Sequence, residues 1–86
     1  MDHSIELQLT PDVLAAQQGD MAAYQRLVNR CRQMVSSIAL AIVKDLDRSE
    51  DIAQQVFIHV WQQLPQLREA NSFLPWLRQI QNLYLV

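Results

Sequence analysis

One glycine and three prolines are all that interrupt the chain. So few turn-forming residues exclude a sheet of many short strands, which needs a tight reversal after each one. There is one cysteine, Cys31. It cannot close an internal disulfide and has no second thiol at a metal-site spacing. A reduced, cytoplasmic protein with Cys31 as a small apolar side chain fits that usage. A basic excess is also missing, with seven basic against nine acidic side chains and a net charge of −2. A domain that grips DNA unaided normally carries the opposite balance, so any nucleic-acid contact must be local or assisted by a larger partner. Nor is there a long apolar run. Residues 34–43 form the most apolar stretch, about ten long and broken by Ser36 and Ser37, against the roughly 20 that a bilayer requires. The first ten residues lack the basic start and apolar run of a signal peptide.

Catalytic groups are scarce as well. His3 falls in the opening stretch and His59 stands alone, with no Cys or His at ligand spacing from either. Glu50 and Asp51 are adjacent, so on a helix they point in different directions and make a poor acid–base pair. A single glycine cannot build a phosphate-binding loop. The sequence therefore points away from an enzyme and implies no cofactor and no metal site.

What is present is apolar periodicity. Half of the 86 residues are hydrophobic, enough for one small packed domain and against disorder. Residues 1–10 read as a flexible leader. Thr10 followed by Pro11 reads as an N-cap and first helical position, opening a short helix that Gly19 ends. Asp20 then caps a long helix whose apolar positions are Tyr24, Leu27, Val28, Cys31, Met34, Val35, Ile38, Ala41 and Ile42. Their steps of three and four mark one helical face, and residues 34–43 read as buried. Asp47 and Glu50 form a capping-box pattern for a third helix, with a stripe of Ile52, Ala53, Val56, Phe57, Val60, Trp61 and Leu64. Pro65 ends it. Residues 67–71 read as a loop, and Ser72 or Asn71 caps a fourth helix with Pro75 in its first turn. The expected fold is all-α, a compact bundle of three main helices plus a short N-terminal one, over residues 11–86.

Three blocks carry a resemblance. Ser49-Glu50-Asp51-Ile52-Ala53-Gln54-Gln55-Val56-Phe57, followed by Trp61, is similar to the second helix block of extracytoplasmic-function sigma factors in Glu50, Asp51, Gln54, Val56, Phe57 and Trp61. Phe73, Trp76-Leu77, Ile80 and Asn82 resemble that family's downstream pattern, and Gly19-Asp20 with Ala23-Tyr24 and Leu27 its opening. The likeness spans residues 11–86.

By that resemblance the chain is a sigma factor region 2 domain that docks on the β′ clamp helices of RNA polymerase, melts the minus-ten promoter element and holds its non-template strand. Asp51, Gln54 and Gln55 match the polymerase-contacting positions. Gln55 departs from the family, which usually has an acid there, so one negative charge is lost. Arg68, Asn71, Ser72, Phe73, Trp76, Arg78 and Asn82 match the strand-reading segment, with Asn82 near the pocket for a flipped-out base. The family's basic segment and its helix-turn-helix domain, region 4, are expected to be cut away beyond residue 86. An anti-sigma factor is a further implied partner, and no membrane partner is implied.

Each assignment has a plainer alternative. The trio on the third helix can be a solvated face. Phe57 and Trp61 read as core, Trp76 reads equally as core, and Arg68 and Arg78 as solubilising charge. His59 reads as exposed and without a partner. For the whole chain the alternative is a non-enzymatic helical interaction module or oligomer that covers surplus apolar surface of the last helix.

Overall fold

The computed structural model describes the backbone of residues 3–85 and the side chains of residues 8–85. Four helices follow in order: α1 (His3–Gln17), α2 (Met21–Val43), α3 (Leu46–Gln63) and α4 (Phe73–Leu83). Two 3₁₀ turns, Leu64–Gln66 and Ala70–Ser72, link α3 to α4. No strand occurs among the described residues, so the all-α expectation holds.

The N-terminal expectation does not. Of the leader, Met1 and Asp2 lie outside the described residues, but α1 already runs from His3 and passes through Pro11. Thr10 and Pro11 are thus helix interior, not cap and first position. The cause is tertiary. Leu9, Val13 and Ala16 stand at helical spacing, all at most 3% exposed in the core. Burying a Leu or Val contributes about 1.5–3 kcal/mol each, which offsets the backbone bond that proline cannot make.

α1 ends as expected. Gly19 adopts φ +96°, a region that costs an L side chain and suits glycine. The Asp20 carboxylate then accepts from the Ala23 N–H at 3.1 Å and caps α2. The Tyr24 hydroxyl donates to the Phe57 carbonyl and ties α2 to α3. α2 closes with Lys44 at φ 56° and its N–H on the Leu40 carbonyl at 2.8 Å.

Two boundary expectations need correcting here. The cap of α3 is Asp45, which accepts from Arg48 N–H at 3.2 Å, not Asp47. Asp45, Asp47 and Glu50 all suit a helix start, and the two-residue turn selects the earliest. The end of α2 is also not buried. Ala39 lies inside, but Ala41 is exposed and Leu40 and Ile42 are 38% and 55% exposed.

The core gathers one face of each element. α2 gives Leu27, Cys31 and Val35; α3 gives Val56, Phe57 and Val60; α4 gives Phe73, Leu77 and Ile80. Two glutamines tie the elements together. Gln81, 1% exposed, donates to the Val35 carbonyl at 2.8 Å and so pins α4 to α2. Gln17 donates to the carbonyls of Leu64 and Leu67 at 3.1 and 2.8 Å, so α1 holds the first 3₁₀ turn.

Candidate functional site

The polar side of α3 lies open. Asp51, Gln54 and Gln55 are all exposed, at the steps of three and four that put them on one helical stripe. That stripe continues through Ile58 and Gln62, also exposed. The reason is the opposite stripe: Ala53, Val56, Phe57 and Val60 are drawn into the core, which turns the remaining positions outward.

Beside this stripe runs a groove of about 660 Å³ between α2 and α3. Glu50, Asp51 and Gln54 line it from α3, and Val28, Arg32 and Ser36 from α2. Gln55 does not line it, so the trio divides into two groove residues and one beyond the rim. Phe57 is core, as expected. Trp61 is half-buried, its ring packed on Tyr24 at 4.8 Å between centroids and 48° between planes, with one side facing the groove. Burial raises the Tyr24 phenol pKa well above its usual range, so this wall of the groove carries no charge from Tyr24 at physiological pH.

The second candidate segment is less uniform. Arg68, Asn71, Ser72, Arg78 and Asn82 are exposed. Arg78 and Asn82 stand one turn apart on α4 and share its outer face with Pro75. Trp76 is half-buried beside Phe73, with centroids 6.1 Å apart. It falls on the other flank of α4 from Arg78, toward Gln79 and Leu83. Phe73 is corrected to a core residue. At 2% exposure it offers no face on which a base can stack. Asn71 accepts a hydrogen bond from the Thr10 hydroxyl at 2.8 Å, which fixes its side chain against α1. Ser72 stands at the cap position of α4 but makes no side-chain cap bond.

His59 also needs correcting. It is half-buried and shares a 2.7 Å hydrogen bond with the Tyr84 hydroxyl, the rings edge to face at 5.7 Å. The pair joins α3 to the end of α4 across a sequence gap that no periodicity reveals. Sequence reasoning also missed the groove itself, with Met21, Arg32, Glu50, Ile58 and Gln62 on its walls. Ile58 was the readable signal, an apolar residue on an otherwise polar stripe. Among the described residues no cluster of three or more His, Cys, Asp or Glu could hold a metal ion, and no helix is long and apolar enough to cross a membrane.

Residues 27–82 match the family described as Sigma-70 region 2. The chain is 47% identical over 77 residues to the probable RNA polymerase sigma factor RfaY of Xanthomonas campestris pv. campestris, covering 90% of this chain and 19% of that protein. It is 30% identical over 64 residues to the RNA polymerase sigma-H factor of Pseudomonas aeruginosa, covering 74% of this chain and 33% of that protein. The chain thus spans a third or less of the length of these relatives. No solved structure matches it significantly.

Proposed function

The chain belongs to the sigma-70 region 2 family, and from that premise we propose that it is the polymerase-docking and promoter-opening domain of a bacterial sigma factor of the extracytoplasmic-function type. Residues 11–86 form that domain and α1 extends it on the N-terminal side. In the cytoplasm its α3 face docks on the β′ clamp helices of RNA polymerase. In the holoenzyme so formed, the turn before α4 and the outer face of α4 hold the non-template strand of the minus-ten element. An anti-sigma factor competes for these faces.

One observation carries the reading. Asp51, Gln54 and Gln55 project from α3 into solvent, none of them bonded to another side chain among the described residues. A carboxylate and two amides free of internal partners offer donors and acceptors to a basic, polar helix pair. The strand contact fits the same picture of a division of labour. Unstacked bases take aromatic surface, amides and cations, and Trp76, Asn71, Asn82, Arg68 and Arg78 supply them. With a net charge of −2, the chain alone releases few counterions and binds free DNA weakly. The alternative, an oligomer sealed by the apolar face of α4, has less surface to cover, because Phe73, Leu77 and Ile80 already pack inside the bundle and Leu83 is the apolar side chain of α4 left largely exposed.

The test is binding to a synthetic hairpin of the β′ clamp helices. Wild type binds. The double substitution Asp51→Ala/Gln54→Ala lowers affinity at least about tenfold, the scale of a lost charged contact at an interface, and leaves folding intact because both positions are exposed. Equal binding by the double variant, or none by wild type, refutes the docking role.

A further inference from the structure

Two side chains hold the last turn of α4. Gln81 reaches the Val35 carbonyl on α2 at 2.8 Å. Three residues on, the Tyr84 hydroxyl shares its 2.7 Å hydrogen bond with His59 Nδ1 on α3. Positions i and i+3 lie on one face of a helix, so both tethers act on the inner side. Asn82 stands between them along the axis and is exposed. At 3.6 residues per turn it points about 100° away from Gln81 and about 160° away from Tyr84. The two inner anchors therefore set the outward direction of Asn82.

The turn depends on them. The last carbonyls of a helix have no partner within it. Here they are met by short-span bonds, Tyr84 N–H on the Gln81 carbonyl at 2.9 Å and Leu85 N–H on the Asn82 carbonyl at 3.3 Å. Burial stops at Ile80 and Gln81, and Asn82 and Leu83 face water. Tyr84 is the next side chain turned back on α3, its ring edge to face with His59 at 5.7 Å. Without that return contact the turn that carries Asn82 is free to fray. Resting on the strand-holding role above, we propose that His59 and Tyr84 are positioning residues for strand reading: their bond fixes the last turn of α4, so that the Asn82 amide meets the exposed strand already aimed. Neither side chain has to touch the strand. Both act through Asn82, and the gain is entropic, because an amide held in one direction loses less freedom on binding.

The experiment uses RNA polymerase holoenzyme assembled with the chain. Its probe is a fluorescein-labelled single-stranded DNA, first selected from a randomised pool by the wild-type holoenzyme. Tyr84→Phe and His59→Phe each keep a ring and lose the bond. Strand affinity falls roughly three- to tenfold in either, the scale of one hydrogen bond. The two together fall no further, because they break the same bond. His59→Asn, whose short amide reaches the place of Nδ1, restores affinity to within about twofold of wild type. Asn82→Ala weakens the strand at least as much as Tyr84→Phe does. In the Asn82→Ala background Tyr84→Phe changes affinity by less than about twofold, since no reader remains to be aimed. Tyr84→Phe also binds the β′ clamp hairpin within about twofold of wild type, so the loss does not come from holoenzyme assembly. A purely structural bond gives another pattern: Tyr84→Phe lowers strand affinity equally with and without Asn82, and the proposal is overturned. It is overturned too if Tyr84→Phe holds the strand like wild type while Asn82→Ala does not, an outcome that leaves the strand-holding role standing. If the wild-type holoenzyme selects no strand, both fall.

Discussion

The α2–α3 side and the α4 side of this bundle solve the same problem differently. On α3 the two jobs are divided between opposite stripes: Val56, Phe57 and Val60 pack, and Asp51, Gln54 and Gln55 face water. On α4, an eleven-residue helix, the aromatic residues suited to bases lie at or beside the packing stripe. Phe73 is inside and Trp76 straddles the edge, while Arg78 and Asn82 hold the outer face. Residue type alone does not make a contact available. At 100° per residue, position on the helix decides first, and the chemistry of the side chain acts only where that position leaves it exposed.

The largest expected effect tests that division on α4. Phe73→Ala removes a ring that is 2% exposed and lowers unfolding free energy by about 3–5 kcal/mol, read from urea denaturation. Phe73→Leu keeps much of the volume, so holoenzyme assembled with it holds the non-template strand normally. Trp76→Ala destabilises less and weakens strand binding by about 1–3 kcal/mol, the value of one stacked base. Equal loss of strand binding in Phe73→Leu and Trp76→Ala would erase the contrast between them.

The next effect belongs to the α2–α3 side. Burial pushes the Cys31 thiol up from 9.0 to about 11, with Arg30 opposing weakly. The folded state therefore holds the proton more tightly than the unfolded chain. The stability this contributes is complete below pH 9 and is lost as pH rises toward 11. Between pH 8 and 10.5 wild type loses about 2 kcal/mol through this group, at 1.36 kcal/mol per unit. Tyr24, also raised by burial, acts in the same direction. Cys31→Ala starts less stable but declines less steeply over that interval. Parallel pH profiles for the two proteins would mean that Cys31 is not sealed in the folded state.

Much of this was legible beforehand. Apolar steps of three and four located α2, α3 and α4, and the polar stripe of α3 followed because Ala53, Val56, Phe57 and Val60 leave only one other side. What stayed illegible depends on contacts between distant residues. Pro11 reads as a helix start until Leu9 is seen buried on the far side of it. Residues 40–42 read as core, yet all three side chains are exposed. No spacing marks Gln81 as buried, yet its amide reaches Val35 across 46 positions. The groove was hidden for the same reason: its walls come from two helices, and no spacing along one of them records the gap between.

Asn71 gives the smallest expected change and the finest test of the α4 side. Its amide oxygen accepts from Thr10 at 2.8 Å, which orients the side chain and leaves its nitrogen, with two N–H donors, toward solvent. That bond is exposed to water, so its loss in Asn71→Ala changes stability by about 0.5 kcal/mol or less. If Asn71 reads a base edge, strand affinity falls by more than stability does, because a pre-set donor pair is removed without disturbing the bundle. Thr10→Val separates orientation from contact. It keeps the amide but removes the hydroxyl that fixes it, so strand affinity falls part of the way. A variant pair that shifts unfolding and strand binding by the same small amount would make Asn71 a tether between α1 and the turn, and would leave recognition to Trp76, Arg78 and Asn82.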